Sequence, residues 1–317
     1  MIRLQTPVTD VKCRVPVSYR DRILMLGSCF SDNVGQKLSD YGFDVCINPF
    51  GTLYNPASIS QSVERLVSGT HFTEEECVWM GSGAGRICSF WHHTSFARND
   101  TAEFLENANS RLDEACSFFR DCSKIIITLG TAWCFRYTGW EAPGSGDSAA
   151  GGGCTDIPPA GYIGRIVSNC LKRDAREFSR ERMTLETAYG LLENIVKMCK
   201  AESTTDFREK QIIFTVSPIR HLADGAHGNQ LSKSTLLMAA DMIIEKTVPT
   251  DYFPAYEIMM DELRDYRFYA EDMVHPSLQA VDYISERFLD WALPASERPI
   301  LEENIRRYRQ SRHRDRG

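Results

Sequence analysis

The sequence predicts an α/β fold with a mostly parallel sheet that is covered by helices on both faces. Apolar runs at 23–27, 124–130 and 211–217 have the length of a strand, and each ends in a glycine or serine turn. Unbroken apolar runs of this kind are typical of parallel strands buried on both sides. Amphipathic stretches such as 102–120 and 183–200 alternate with them. Alternation of strand and helix favours a parallel sheet.

The first third of the chain contains two strand–helix units. The strand at 23–27 leads into a helix that we expect to end near Asp40, and the alternating stretch 43–47 is a second strand. Two Asn-Pro pairs within 48–56 indicate a structured loop, since the residue before proline is held out of the helical region. Ser58 is placed to cap the next helix, whose apolar residues share one face.

The remaining elements continue the alternation. The glycine-, serine- and proline-rich segment 139–164 predicts a long, partly mobile surface loop inside a single domain that spans 1–317. A helix is predicted at 233–246, and 251–254 is the end of a fifth strand. Helical sequence follows to about Arg267, and a last helix runs to Trp291.

Composition excludes several classes of protein. The chain has 317 residues and a net charge of −7, which argues against a general nucleic-acid binder, although its tail at 301–317 is basic. No apolar run approaches the roughly 18 residues of a membrane span, and 1–22 lacks the apolar core of a secretory signal. Eleven cysteines without a C-x-x-C pair indicate reduced thiols in a cytoplasmic protein.

No cofactor or metal is expected. His92 and His93 are adjacent and so point apart, and neither they nor His71 have a carboxylate or cysteine at a recognisable ligand spacing. The glycine-rich segments lack the Gly-Lys-Ser/Thr of a phosphate-binding loop.

The turn after the first strand is the first candidate for chemistry. Ser28 follows Gly27 at the carboxyl end of the strand, under the amino end of a helix, where backbone N–H groups favour the negative charge of a tetrahedral intermediate. A serine there also caps a helix well. Cys29 is an alternative nucleophile that we rank below Ser28, because its side chain should point away from its neighbour's.

A second candidate lies near the end of the chain. Asp272 and His275 are three residues apart, a spacing that lets the carboxylate reach Nδ1 of the ring while Nε2 faces outward. An acidic turn with a surface histidine has the same pattern. Gly51, Gly130 and Ser217 follow other strands, so their turns should meet at the carboxyl edge of the sheet.

Together these stretches resemble the GSCFA family, within the SGNH (GDSL-like) hydrolase superfamily. The name-giving motif corresponds to Gly27-Ser28-Cys29-Phe30-Ser31. The resemblance continues in order through 48–56, 128–133, 217–221, 229–234, 252–257, 263–269 and 272–276. It implies a flavodoxin-like, three-layer α/β/α fold and an acyl-ester hydrolase or acyltransferase.

The resemblance also implies roles for individual residues. Ser28 would be the nucleophile, His275 the general base and Asp272 the group that orients it. The N–H groups of Ser28 and Gly51 would form the oxyanion hole. A third donor, an asparagine after the third strand, is replaced here by Gly-Thr-Ala-Trp, which leaves Thr131 or Asn55 for that position.

Arg220 and His221 are candidates for substrate binding. Arginine grips a carboxylate or phosphate in two places, but Arg220 has possible ion-pair partners in Glu257, Asp261 and Asp265. His221 has no local carboxylate to orient it, so His275 is the better base.

Three functions remain open. The first is a serine esterase for a short acyl or acetyl ester of a small molecule or glycan. The second is an acyltransferase that uses the same triad with an alcohol in place of water. The third is a catalytically silent binding domain. The oligomeric state is not indicated.

Overall fold

The computed structural model describes residues 6–9, 11–81, 85–139, 160–202, 209–247 and 249–314. Its strands are β1 Arg22–Gly27, β2 Asp44–Ile47, β3 Val78–Trp79, β4 Ile87–Cys88, β5 Lys124–Leu129, β6 Trp133–Tyr137, β7 Ile166–Val167, β8 Phe178–Arg182, β9 Gln211–Val216 and β10 Thr250–Tyr252. Its helices are α1 Cys29–Asp40, α2 Pro56–Ser68, α3 Thr101–Asp121, α4 Leu185–Ala201, α5 Gly225–Lys246, α6 Ala255–Glu257, α7 Leu278–Ala292 and α8 Arg298–Arg314.

The central sheet has five strands in the order β10-β9-β5-β1-β2, and all of its pairings are parallel. Numbered within the sheet this is 2-1-3-4-5, the flavodoxin-like order. The chain reverses direction across the sheet between β1 and β5. Ligands bind in the crevice at such a switch point, outside the carboxyl ends of the strands.

Alternate residues of the central strands enter two separate cores. Leu24, Leu26 and Ile127 pack with α2 to α5 on one face, whereas Met25 and Ile126 pack with α1 and α7 on the other. Successive side chains of a strand point to opposite faces, so a run without polar interruptions serves both layers. The predicted three-layer α/β/α fold is therefore confirmed.

Several predicted boundaries were wrong. The helix expected from Lys233 begins at Gly225. The helical stretch expected to reach Arg267 breaks after a π-helical turn over Ile258–Glu262 and is followed by a separate 3₁₀ turn over Tyr266–Phe268. A three-stranded antiparallel sheet, β7-β6-β8, was not predicted. Most of the predicted mobile loop lies outside the described residues, as do the last three residues of the basic tail.

Candidate active site

The turn between β1 and α1 buries one polar side chain and presents the next one. Ser28 is the cap of α1, is 0% exposed, and accepts a hydrogen bond on Oγ from Phe30 N at 3.3 Å. This satisfies one of the first N–H groups of the helix, which have no partner within it. The Ser28 N–H donates to Thr128 O at 3.3 Å. Cys29, the first residue of α1, is partly exposed.

Asn48 ties this turn to the loop after β2. Its Oδ1 accepts from Gly27 N at 2.8 Å, and its Nδ2 donates to Asp32 Oδ1 at 2.6 Å. Its carbonyl accepts from Gly51 N at 2.7 Å. The N–H of Gly51, which the resemblance places in the oxyanion hole, therefore already donates to a backbone carbonyl group, as does the N–H of Ser28. The two expected donors do not form an open pair in this structure.

Asp272 and His275 form the pair that their spacing predicts. His275 Nδ1 lies 2.6 Å from Asp272 Oδ2, while Asp272 Oδ1 accepts from the N–H groups of Val274 and His275 at 2.9 Å. The backbone N–H and ring of His275, with the Val274 N–H, hold the pKa of Asp272 at about 2. An ionised carboxylate can only accept a hydrogen bond, so Nδ1 carries the proton of the ring and donates to Asp272. Nε2 is then the nitrogen that can accept a proton.

A cavity of about 450 Å³ brings most of the predicted residues together at the carboxyl edge of the sheet. The predicted site residues that line it are Asn55, Thr131, Arg220, His221 and His275. Cys29 lines it too, whereas Ser28 and Gly51 are not among its lining residues. Of the two residues at the β1–α1 turn, Cys29, the alternative nucleophile of the sequence analysis, is therefore the one that faces the cavity.

The two candidates for the third oxyanion donor are already used in part. Thr131 Oγ1 lies 3.0 Å from Ser232 Oγ, and the Thr131 N–H donates to Tyr54 O at 2.7 Å. Asn55 caps α2, where its Oδ1 accepts from Ser58 N at 3.0 Å. The cap occupies only the oxygen of the amide, so the nitrogen, which is the hydrogen-bond donor of the Asn55 side chain, is not used by the cap.

A buried lysine that the sequence analysis did not single out lies under this edge. Lys233 Nζ donates to Gly130 O at 2.6 Å and to Ser217 O at 2.7 Å, and so joins the turns after β5 and β9. Burial lowers its pKa to about 7, which the nearby Cys29 partly offsets. The lysine therefore places a titratable cation next to the β1–α1 turn.

Two more polar residues on α5 hold the loops of the site. Ser232 Oγ accepts from Ala132 N at 2.7 Å, and Asn229 Oδ1 accepts from His221 N at 2.9 Å. Positions 229, 232 and 233 share one helix face. That spacing was a usable signal, but it was missed because the helix was expected to begin at Lys233.

His221 and Arg220 differ in how they can meet a substrate. Burial lowers the pKa of His221 to about 3, with the charge of Lys233 adding to this, so its ring is neutral at ordinary pH. Arg220 Nη1 donates to Met273 O at 3.2 Å, and its guanidinium lies 5.4 Å from the ring centre of Tyr269. The acidic residues considered as its partners contact Tyr252, Arg264 and Arg267.

Within the described ranges, no group of three or more histidine, cysteine, aspartate or glutamate side chains is arranged to hold a metal ion. His92 is fully buried, with Nδ1 2.7 Å from Ser89 Oγ. No described helix combines the length and the apolar character that crossing a membrane requires.

Comparisons with known proteins give one informative match. No curated protein sequence matches the chain. An inhibitor-bound aryl esterase of M. smegmatis superposes with a TM-score of 0.36 and 11% identity over 86% of this chain and 99% of that one, too distant a likeness to carry an argument. The profile of the GSCFA family matches residues 22–147 and 153–288, which include both the β1–α1 turn and the Asp272–His275 pair. The chain belongs to the GSCFA family.

Proposed function

We propose that this protein is an acyl-ester hydrolase of SGNH type that acts in the 450 Å³ cavity. The observation that carries the proposal is the Asp272–His275 pair, whose ring lines the same cavity as the β1–α1 turn. A base oriented by a carboxylate, next to a nucleophile at a helix N-terminus, is the arrangement that acyl transfer requires.

The reaction needs a proton to move twice. Nε2 of His275 accepts the proton of the nucleophile as the nucleophile attacks the ester carbonyl, and then gives it to the leaving alcohol. Asp272 keeps the ring in the tautomer that allows this and stabilises the imidazolium. Water then attacks the acyl-enzyme with His275 again as base, which releases the acid and restores the nucleophile.

The walls of the cavity suit a small ester. Tyr54, Trp133 and Phe135 supply apolar surface, and Asn55 and Arg220 supply polar groups. Pockets of this composition bury the body of a small ligand and orient it by a few polar contacts. The guanidinium of Arg220 favours an ester that carries a carboxylate or phosphate elsewhere in the molecule.

The proposal is tested by hydrolysis of p-nitrophenyl acetate and longer acyl esters. His275→Ala should lower kcat/KM by about 10²–10⁴-fold, the range of general acid–base catalysis. The matched control is His71→Ala, because Nε2 of His71 lies 2.8 Å from Asp113 in another exposed histidine–aspartate pair. Equal activity of the two variants, or a wild-type protein that cleaves no ester, would contradict the proposal.

Product analysis separates hydrolysis from transfer. An acyltransferase uses the same groups, with an alcohol in the place of water, so added glycerol or a monosaccharide should then collect the acyl group. A hydrolase releases the free acid at the same rate with and without the added alcohol. Ligand binding without any turnover would indicate the catalytically silent alternative.

A further inference from the structure

We propose that Cys29, and not Ser28, is the nucleophile of this site. The inference rests on the proposed function and concerns which side chain carries the acyl group. It comes from the orientation of two adjacent residues at the β1–α1 turn. Ser28 is 0% exposed, while Cys29 is partly exposed and lines the cavity together with His275.

Ser28 already has a structural role. Its Oγ accepts from Phe30 N, and its N–H donates to Thr128 O, so both polar groups hold the junction of β1 and α1. The hydroxyl would have to leave the cap and enter a cavity that it does not line. Serine is among the preferred residues for a helix cap, which explains its presence here without catalysis.

The thiol of Cys29 is protonated at rest. Burial, with the carboxylate of Asp32, raises its pKa above the ordinary value. The N–H groups of Cys29 and Phe30, at the start of α1, and the ammonium of Lys233 offset only part of this rise. A protonated thiol needs a base to remove its proton, and the oriented ring of His275 shares its cavity.

Another thiol in the cavity gives a comparison within the same protein. Cys170 also lines the cavity, but burial and the charge of Glu177 raise its pKa to about 12. It lies between β7 and β8 and does not begin a helix. Cys29 and Cys170 therefore share the cavity, but only Cys29 also lies at the N-terminus of a helix. This difference is the reason to expect the acyl group on Cys29 and not on Cys170.

The covalent step is balanced without a co-reactant. Sγ of Cys29 attacks the ester carbonyl carbon as its proton passes to Nε2 of His275. The carbon–oxygen bond to the alcohol then breaks, and the alcohol leaves with that proton. Water attacks the resulting thioester and gives a proton to His275, the carbon–sulfur bond breaks, and Cys29 takes the proton back.

Acid-quenched p-nitrophenyl acetate reactions, followed by peptide mass spectrometry, test the assignment. We expect an acetyl group on Cys29 that neutral hydroxylamine removes, as it does from a thioester. The adduct should be present in Ser28→Ala, absent in His275→Ala and Cys29→Ala, and at least tenfold weaker on Cys170. The activity control is Cys13→Ala, a partly buried thiol outside the cavity.

The outcomes separate the two proposals. An adduct on Ser28, or full turnover by Cys29→Ala, overturns the assignment of Cys29 and leaves the hydrolase intact. An adduct on Cys29 without release of acid supports the nucleophile and contradicts hydrolysis. The absence of any His275-dependent adduct overturns the assignment.

Discussion

Replacement of Gly27 by alanine should destabilise the protein more than the same change at Gly69 or Gly190. Gly27 has a φ of +140°, and an added Cβ would lie 2.2 Å from the carbonyl oxygen of Thr128. The clashing atoms are the backbone of a paired strand, so they cannot rotate away. Overpacking costs about 1–3 kcal/mol, and a non-glycine residue in a rare backbone region costs about 1–3 kcal/mol more. We therefore expect a loss of about 4 kcal/mol in the free energy of unfolding.

Two other glycines provide matched controls. An added Cβ meets no atom within 4 Å at Gly69, where φ is +60°, or at Gly190 inside α4. Gly69→Ala should cost only the left-handed backbone strain, about 1–2 kcal/mol. Gly190→Ala should stabilise the protein by about 0.5–1 kcal/mol, because glycine is a poor residue in a helix.

Urea unfolding followed by circular dichroism measures all three variants against the wild type. Linear extrapolation gives the free energy of unfolding in water. From the most to the least stable, the expected order is Gly190→Ala, wild type, Gly69→Ala and Gly27→Ala. A Gly27→Ala protein as stable as Gly69→Ala would refute the claim that close contact with Thr128 determines this position.

Four further predictions concern the candidate site. Asp272→Asn should lower kcat/KM by about 10²–10⁴-fold in the ester assay by releasing the ring of His275, and unchanged kinetics would contradict the orienting role. The pKa of Asp272 in the folded protein is about 2, below its ordinary value of 3.8. The ionised carboxylate should therefore contribute to folding stability above pH 3.8, and this contribution should disappear as the pH falls toward 2. Urea unfolding of the wild type and of Asp272→Asn across that pH range measures the contribution. Because the pKa of Cys29 is raised from 9.0, its rate of alkylation by iodoacetamide should still be rising with pH at 9, and a plateau at lower pH would instead indicate a thiolate–imidazolium pair. Asn48→Ala should cost about 2–4 kcal/mol in the same unfolding assay, because it leaves one buried N–H unpaired and removes the bond to Asp32, and wild-type stability would exclude this role.

The parts of the fold that were predicted correctly are those with a local signal. The strands β1, β5 and β9 are buried on both faces, so they appear as apolar runs that need no knowledge of their neighbours. The antiparallel strand Phe178–Arg182 reads FSRER and has no such signal. It exists because it pairs with Trp133–Tyr137, far away in the sequence.

The candidate site divides in the same way. Asp272 and His275 are only three residues apart, so a short turn is enough to bring their side chains together. Lys233 acts through carbonyl groups of Gly130 and Ser217, which are distant in the chain, and its position was not anticipated. The charge of Lys233 is buried only when the turns after β5 and β9 come together in the folded chain.

By itself, the sequence determined the class of fold, the strand–turn–helix unit at 22–40 and the histidine–aspartate pair, because periodicity and short spacing are properties of neighbouring residues. Only the tertiary structure decided which side chain of the turn faces the cavity. Ser28 and Cys29 are adjacent, and their exposure depends on β5, on the loop that carries Asn48, and on the cavity wall. Solvent exposure depends on all the elements packed around a side chain, so a local pattern could identify the turn but not which of its two side chains faces the cavity.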